Sequence, residues 1–91
     1  MQQKDGKTKH LAKIIGQVVN ELRIEKKKGS INQFAHEYDL DVGNTSRIEN
    51  GLIESKVVTL WKIAEALEMK LSDLIKIVEY KVGSDFHFYD E

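Results

Sequence analysis

Leu11, Ile14, Ile15, Val18, Val19 and Leu22 recur at the i, i+3, i+4, i+7, i+8, i+11 spacing, which collects all six on one stripe of an α-helix. In a strand the same residues would scatter over both faces. The rest of the chain repeats the pattern in shorter pieces. With no proline and only six glycines among 91 residues, a sheet fold dense in tight turns is excluded. The expectation is an all-α fold with one core, because so short a chain has too little surface to bury for a second.

Punctuation between the apolar stripes sets the helix count. The polar run from Glu25 to Lys28 and then Gly29 ends the first helix, since lysines suit the negative end of the macrodipole and glycine accepts positive φ. Ser30 with Gln33 forms a capping box for a second helix, which carries Ile31, Phe34 and Ala35 inward. Asp41 is the N-cap of a third helix from Val42 to about Asn50, and Gly51 follows as its C′ residue. Val57, Val58, Leu60, Trp61, Ile63, Ala64 and Leu67 predict a fourth helix, with Trp61 read as a core residue. A fifth begins near Leu71 to Asp73, capped by Ser72, and turns Leu74, Ile75 and Val78 inward. After Ser84, Phe86 and Phe88 alternate with His87 and Tyr89, the period of a short extended tail.

The chemistry available is narrow. The chain has no cysteine, which excludes disulfides, thiolate metal sites and thiol catalysis. His10, His36 and His87 lie in separate segments without i, i+4 metal spacing, and no nucleophile–base pair or glycine-rich phosphate loop is visible. No metal, no cofactor and no enzymatic activity are therefore expected. The opening segment, 1–10, is polar and is expected to be flexible. No apolar run behind it is long enough for a signal peptide or a membrane span, so a cytoplasmic protein without membrane attachment is expected.

The net charge of −1 conceals an asymmetry. Residues 1–28 carry +5, residues 29–50 carry −3, residues 51–70 carry 0 and residues 71–91 carry −3. A basic N-terminal segment permits contact with a polyanion by one face.

Two short helices, Ser30–Tyr38 and Val42–Asn50, joined by a few residues, are a helix-turn-helix arrangement. The run Ser46-Arg47-Ile48-Glu49-Asn50-Gly51 resembles the end of the recognition helix in the Cro/cI-like (XRE) helix-turn-helix family. Phe34-Ala35 resembles that family's Leu-Ala pair, Thr59–Leu67 its fourth-helix signature, and Leu71-Ser72-Asp73-Leu74 the start of its fifth helix. The resemblance covers residues 11–79 and implies a five-helix, lambda-repressor-like DNA-binding domain. A C-terminal tail, 80–91, lies outside it and is expected to serve as a dimerisation strand, with helix five as the other candidate interface. Departures from the family pattern are Ile31 where glutamine is common, Ser55 where proline is common, and polar Thr45 at a core position.

By the register of that family, Val42, Gly43, Asn44, Ser46 and Arg47 face the major groove. Arg47 suits guanine N7 and O6, Asn44 suits adenine N6 and N7, and Val42 suits a thymine methyl. Gly43 lets the backbone approach. Asn50, with the backbone amides that follow it, and Lys56 are expected at phosphates. Lys9, Lys26, Lys27 and Lys28 are expected to act as long-range attractors only. The resemblance also pairs Glu49 with an arginine of the first helix, here Arg23. The function implied is sequence-specific binding of double-stranded DNA by a transcriptional regulator, a homodimer on a near-palindromic operator. The alternatives are an antitoxin-type module, which binds a protein partner and represses its own operon, and a controller of a restriction–modification operon.

Overall fold

The computed structural model describes residues 2–89 and is built of five α-helices. These are α1 (Gln2–Glu25), α2 (Ile31–Glu37), α3 (Val42–Glu49), α4 (Val57–Ala66) and α5 (Leu71–Val82). Two adjacent residues of α1 seed the two halves of the core. Val19 packs with Phe34, Ile48, Ile63 and Leu67 and ties α1 to α2, α3 and α4. Val18 packs with Leu60, Ala64, Leu74 and Val78 and ties it to α4 and α5. Burying one such aliphatic or aromatic side chain is worth about 1.5–3 kcal/mol, so α1 is the strut on which the helix-turn-helix is mounted.

The helix ends follow their local chemistry. The Ser30 hydroxyl accepts from the Gln33 amide at 3.1 Å while the Gln33 side chain accepts from the Ser30 amide at 2.9 Å, a complete capping box. Asp41 caps α3 by accepting from the Asn44 amide. Thr45 is buried and solves its polarity locally, its hydroxyl donating to the Asp41 carbonyl at 2.8 Å. Between α2 and α3 the chain turns through Asp39 at φ 57°, and the Leu40 amide closes the end of α2 on the Ala35 carbonyl at 2.8 Å.

Four expectations are corrected. Helix α1 begins at Gln2 and runs through the segment expected to be flexible, since Gln2, Lys4, Lys7 and Lys9 are adequate helix formers that outweigh Gly6, and no proline separates them from the apolar stripe. Trp61 is 53% exposed, and Val57 and Val58 are exposed with it. The buried residues of α4 are Leu60, Ile63, Ala64 and Ala66, continued by Leu67 at its C-cap, and Trp61 stands about 100° from Leu60. Ser72 lies inside α5 rather than at its cap; Lys70 precedes the helix, and its amide donates to the Asp73 carboxylate. The tail forms a turn and bends rather than a strand. The Phe86 amide donates to the Gly83 carbonyl, the Phe86 ring stands between His10 and Phe88 at 6.0 and 5.1 Å, and the Lys7 ammonium bonds the carbonyls of His87 and Phe88. Phe86 thus finds apolar cover within its own chain. Asp90 and Glu91, the end of the expected tail, lie outside the described residues.

Candidate nucleic-acid interface

Helix α3 has one face against the core, through Thr45 and Ile48, and one face toward solvent. Gly43, Arg47 and Asn50 form an i, i+4, i+7 row on the outer face, with Ser46 half-buried beside them. Val42, Asn44 and Arg47 are exposed. Arg47 folds back along the helix, its Nη1 donating to Asn44 Oδ1 at 3.2 Å. Its guanidinium lies over Gly43, where an added Cβ would meet Nη1 at 3.3 Å. Among the described residues no ion pair involves Arg47.

Asn50 works first as a helix terminator. Its Nδ2 donates to the Ser46 carbonyl at 2.9 Å. The amides that follow it, assigned to phosphate by the family resemblance, are already engaged. The Gly51 amide donates to Ile48 and the Leu52 amide donates to Arg47, at 3.0 and 2.8 Å. The reason is the αL turn at Gly51, φ 70°, which folds the chain back over the last carbonyls of α3. Lys56 is the exposed N-cap of α4 and makes no side-chain cap bond.

What holds α3 in place is a buried polar clamp. Arg23 of α1 meets the Glu49 carboxylate with two bonds, Nε at 2.8 Å and Nη2 at 3.0 Å, and Asn20 adds a third at 2.9 Å. The Arg23 and Glu49 side chains are only 11% and 4% exposed. The hydrogen bonds to Glu49 raise the Arg23 pKa; burial opposes them, and the attraction of the carboxylate adds to them. The third Arg23 nitrogen, Nη1, donates to the Gly29 carbonyl at 2.7 Å, so one side chain fixes both α3 and the turn before α2. The pairing of Glu49 with Arg23 was anticipated; Asn20 was not.

Gly16, a further residue absent from the sequence reading, lets the helices approach. A Cβ there would stand 2.2 Å from the Ile48 carbonyl oxygen and 2.6 Å from that of Glu49. A glycine in mid-helix costs about 1 kcal/mol relative to alanine, and that cost was the available signal. On the same side of α1, Lys13 packs on Gly51, and Lys9 lines a cleft with Leu52 and Glu54. Lys9 and Lys13 thereby flank the loop from α3 to α4. Lys28, expected as a free attractor, is instead bonded to Tyr38 at 3.2 Å and Glu68 at 2.9 Å.

Among the described residues no group of His, Asp and Glu is arranged to hold a metal ion, and no helix is long and apolar enough to cross a membrane. A search of the curated proteins found no match, nor did a search of the solved structures. The family model of the Cro/C1-type helix-turn-helix DNA-binding domain, in contrast, matches residues 18–79, more than half of the chain. That span takes in α2, α3, α4 and most of the core that α1 and α5 complete, and so the chain belongs to the Cro/C1-type helix-turn-helix DNA-binding family.

Proposed function

We propose that the protein is a transcriptional regulator of the cytoplasm that binds a specific double-stranded DNA sequence as a homodimer, with α3 in the major groove. The observation that carries the reading is the outer face of α3. Arg47 is exposed and, among the described residues, has no carboxylate partner and a side-chain hydrogen bond to Asn44 alone. A guanidinium in that state exchanges a weak neutral acceptor for the two acceptors of guanine, a bidentate pair worth about 1–3 kcal/mol of discrimination. As Arg47 leaves, Asn44 Oδ1 is freed to accept from adenine N6 while its amide nitrogen donates to N7. Gly43 keeps the space between them clear, Val42 offers an apolar surface to a thymine methyl, and half-buried Ser46 supports the row.

Phosphate contacts fall to Lys56 and to the second hydrogen of the Asn50 amide nitrogen. Lys9 and Lys13 join them, because they flank the same loop. The acidic Asp41 at the start of α3 limits non-specific attraction, so base contacts carry a large share of selectivity. Comparing Arg47→Ala with Lys56→Ala on specific and random duplexes tests the assignment. Arg47→Ala is expected to weaken the specific duplex by about 1–3 kcal/mol and to relax preference at one base pair, whereas Lys56→Ala weakens all duplexes alike. Equal losses for Arg47→Ala on both duplexes would remove it as a base reader.

A further inference from the structure

We infer that the C-terminal tail is a strap that holds the first turns of α1 and so positions Lys9 as a contact to the DNA backbone, although the tail itself touches no DNA. This rests on the DNA-binding reading and extends it to the two segments outside the family span, residues 2–17 and 80–89. Those two segments meet.

The first turns of α1 have little to hold them from within. The apolar stripe begins only at Leu11, and exposed Gly6 lies before it. A glycine weakens a helix relative to alanine, and a helix end without packing frays. Support comes from outside. On one side the Lys7 ammonium donates to the carbonyls of His87 and Phe88. Three residues on, the His10 ring lies 6.0 Å from the Phe86 ring, and half-buried Leu11 lines an apolar hollow with Phe86 and Phe88. The tail is braced in turn by the bond from the Phe86 amide to the Gly83 carbonyl and by the edge contact of Phe86 with Phe88 at 5.1 Å.

On the other side Thr8, Lys9 and Ala12 line a cleft with Gly51, Leu52 and Glu54. Lys7 and Lys9 are two residues apart, so at about 100° per residue they stand on nearly opposite sides of α1. The strap bears on one side of the helix while the α3–α4 loop takes the other. Lys9 and Lys13 are both exposed and one turn apart on the loop side. With Lys56, which follows the same loop, they set three lysines around it. Lys13 is anchored by its packing on Gly51. Lys9 depends on the first turns of α1, and therefore on the strap.

Charge alone acts in the opposite direction. Residues 83–91 hold three acids and no lysine or arginine. A tail that acted on DNA only by repulsion would, once deleted, leave tighter binding to a polyanion. Deletion of a strap weakens it. None of these residues belongs to either core cluster, so a chain ending at Val82 keeps its fold.

The test uses truncation after Val82 and, in the full chain, Phe86→Ala, which leaves the charge unchanged. Native-state hydrogen exchange needs no DNA. The amides of residues 7–11 are expected to exchange about tenfold faster or more in both variants, with those of residues 15–20 unchanged. Fluorescence anisotropy reads the consequence. Both variants are expected to bind specific and random duplexes about three- to tenfold more weakly at about 0.1 M salt, with the log–log salt slope smaller by about 1 per chain. Phe86→Leu, which keeps the apolar cover, is expected to restore both readouts. Lys9→Gln is expected to give the same loss, and adding it to the truncation to cost nothing more. Unchanged exchange at residues 7–11 overturns the strap. Faster exchange with unaltered or tighter binding overturns the link to Lys9, as do additive losses. A full chain that binds no duplex removes the DNA-binding reading instead, while the exchange rates still decide whether the tail holds α1.

Discussion

Gly16→Ala tests how closely α3 is drawn onto α1. The added Cβ would stand 2.2 Å from the Ile48 carbonyl oxygen and 2.6 Å from the Glu49 oxygen, where carbon and carbonyl oxygen normally keep about 3.3 Å or more. The obstruction is backbone, which no side-chain rotation can relieve, so α3 must retreat by about 1 Å. That retreat loosens Ile48 in the core and lengthens the clamp from Arg23 and Asn20 to Glu49. Overpacking of this kind costs about 1–3 kcal/mol or more, and the two polar atoms forced apart add to it. Alanine's helix preference returns about 1 kcal/mol. A net loss of about 2 kcal/mol is expected, lowering Tm by about 8–16 °C in a domain of this size. Thermal and urea denaturation followed by circular dichroism measure it. Gly6 provides the control on the same helix: a Cβ there meets nothing within 4 Å, so Gly6→Ala should raise stability by about 0.5–1 kcal/mol. If Gly16→Ala proves as stable as Gly6→Ala, the close approach of α1 and α3 is refuted.

Arg23→Ala should cost about 3–5 kcal/mol in chemical denaturation by stranding the Glu49 carboxylate, and adding Glu49→Gln should recover part of the loss; additive effects would mean the two are uncoupled. The Glu68 carboxyl is held below the ordinary glutamate range, chiefly by its hydrogen bond from Lys28. Its contribution is therefore present above that range and lost as pH falls through about 4 and lower, and Glu68→Gln should flatten that acid limb in a Tm-versus-pH series. Asp39→Gly should raise stability by about 0.5–1 kcal/mol in urea melts, because Asp39 occupies the left-handed region at φ 57° that glycine enters without strain.

How much of this was legible in the sequence varied with the range of the physics involved. Local rules placed the Ser30 and Asp41 caps and the Gly51 turn, because each depends on neighbours within four residues. The pairing of Arg23 with Glu49 is long-range and came from family resemblance, while Asn20 in the same clamp escaped because an asparagine on a polar helix side has no periodic signature. Trp61 misled for a related reason. Residues apolar on two sides of α4 give one continuous pattern, and only the positions of α1 and α5 decide which side is buried. The tail was misread because its alternating aromatics suit a strand, but a strand needs a partner. Within one chain the available cover was α1, reached by a turn at Gly83. At the interface, the spacing from Val42 to Arg47 is readable, yet the bond from Arg47 to Asn44 and the loss of the Gly51 and Leu52 amides to helix capping depend on backbone geometry.

The central claim is that α3 presents a base-reading surface to duplex DNA. Selection of bound sequences from a random duplex pool, followed by fluorescence anisotropy of the selected duplex across a salt series, tests it most directly. A near-palindromic site should emerge. Its affinity should fall with a log–log slope of about −4 to −7, the value for roughly four to eight neutralised phosphates per dimer, while competitor DNA binds far more weakly. A pool that never enriches, with no binding to any duplex at low salt, would contradict the account.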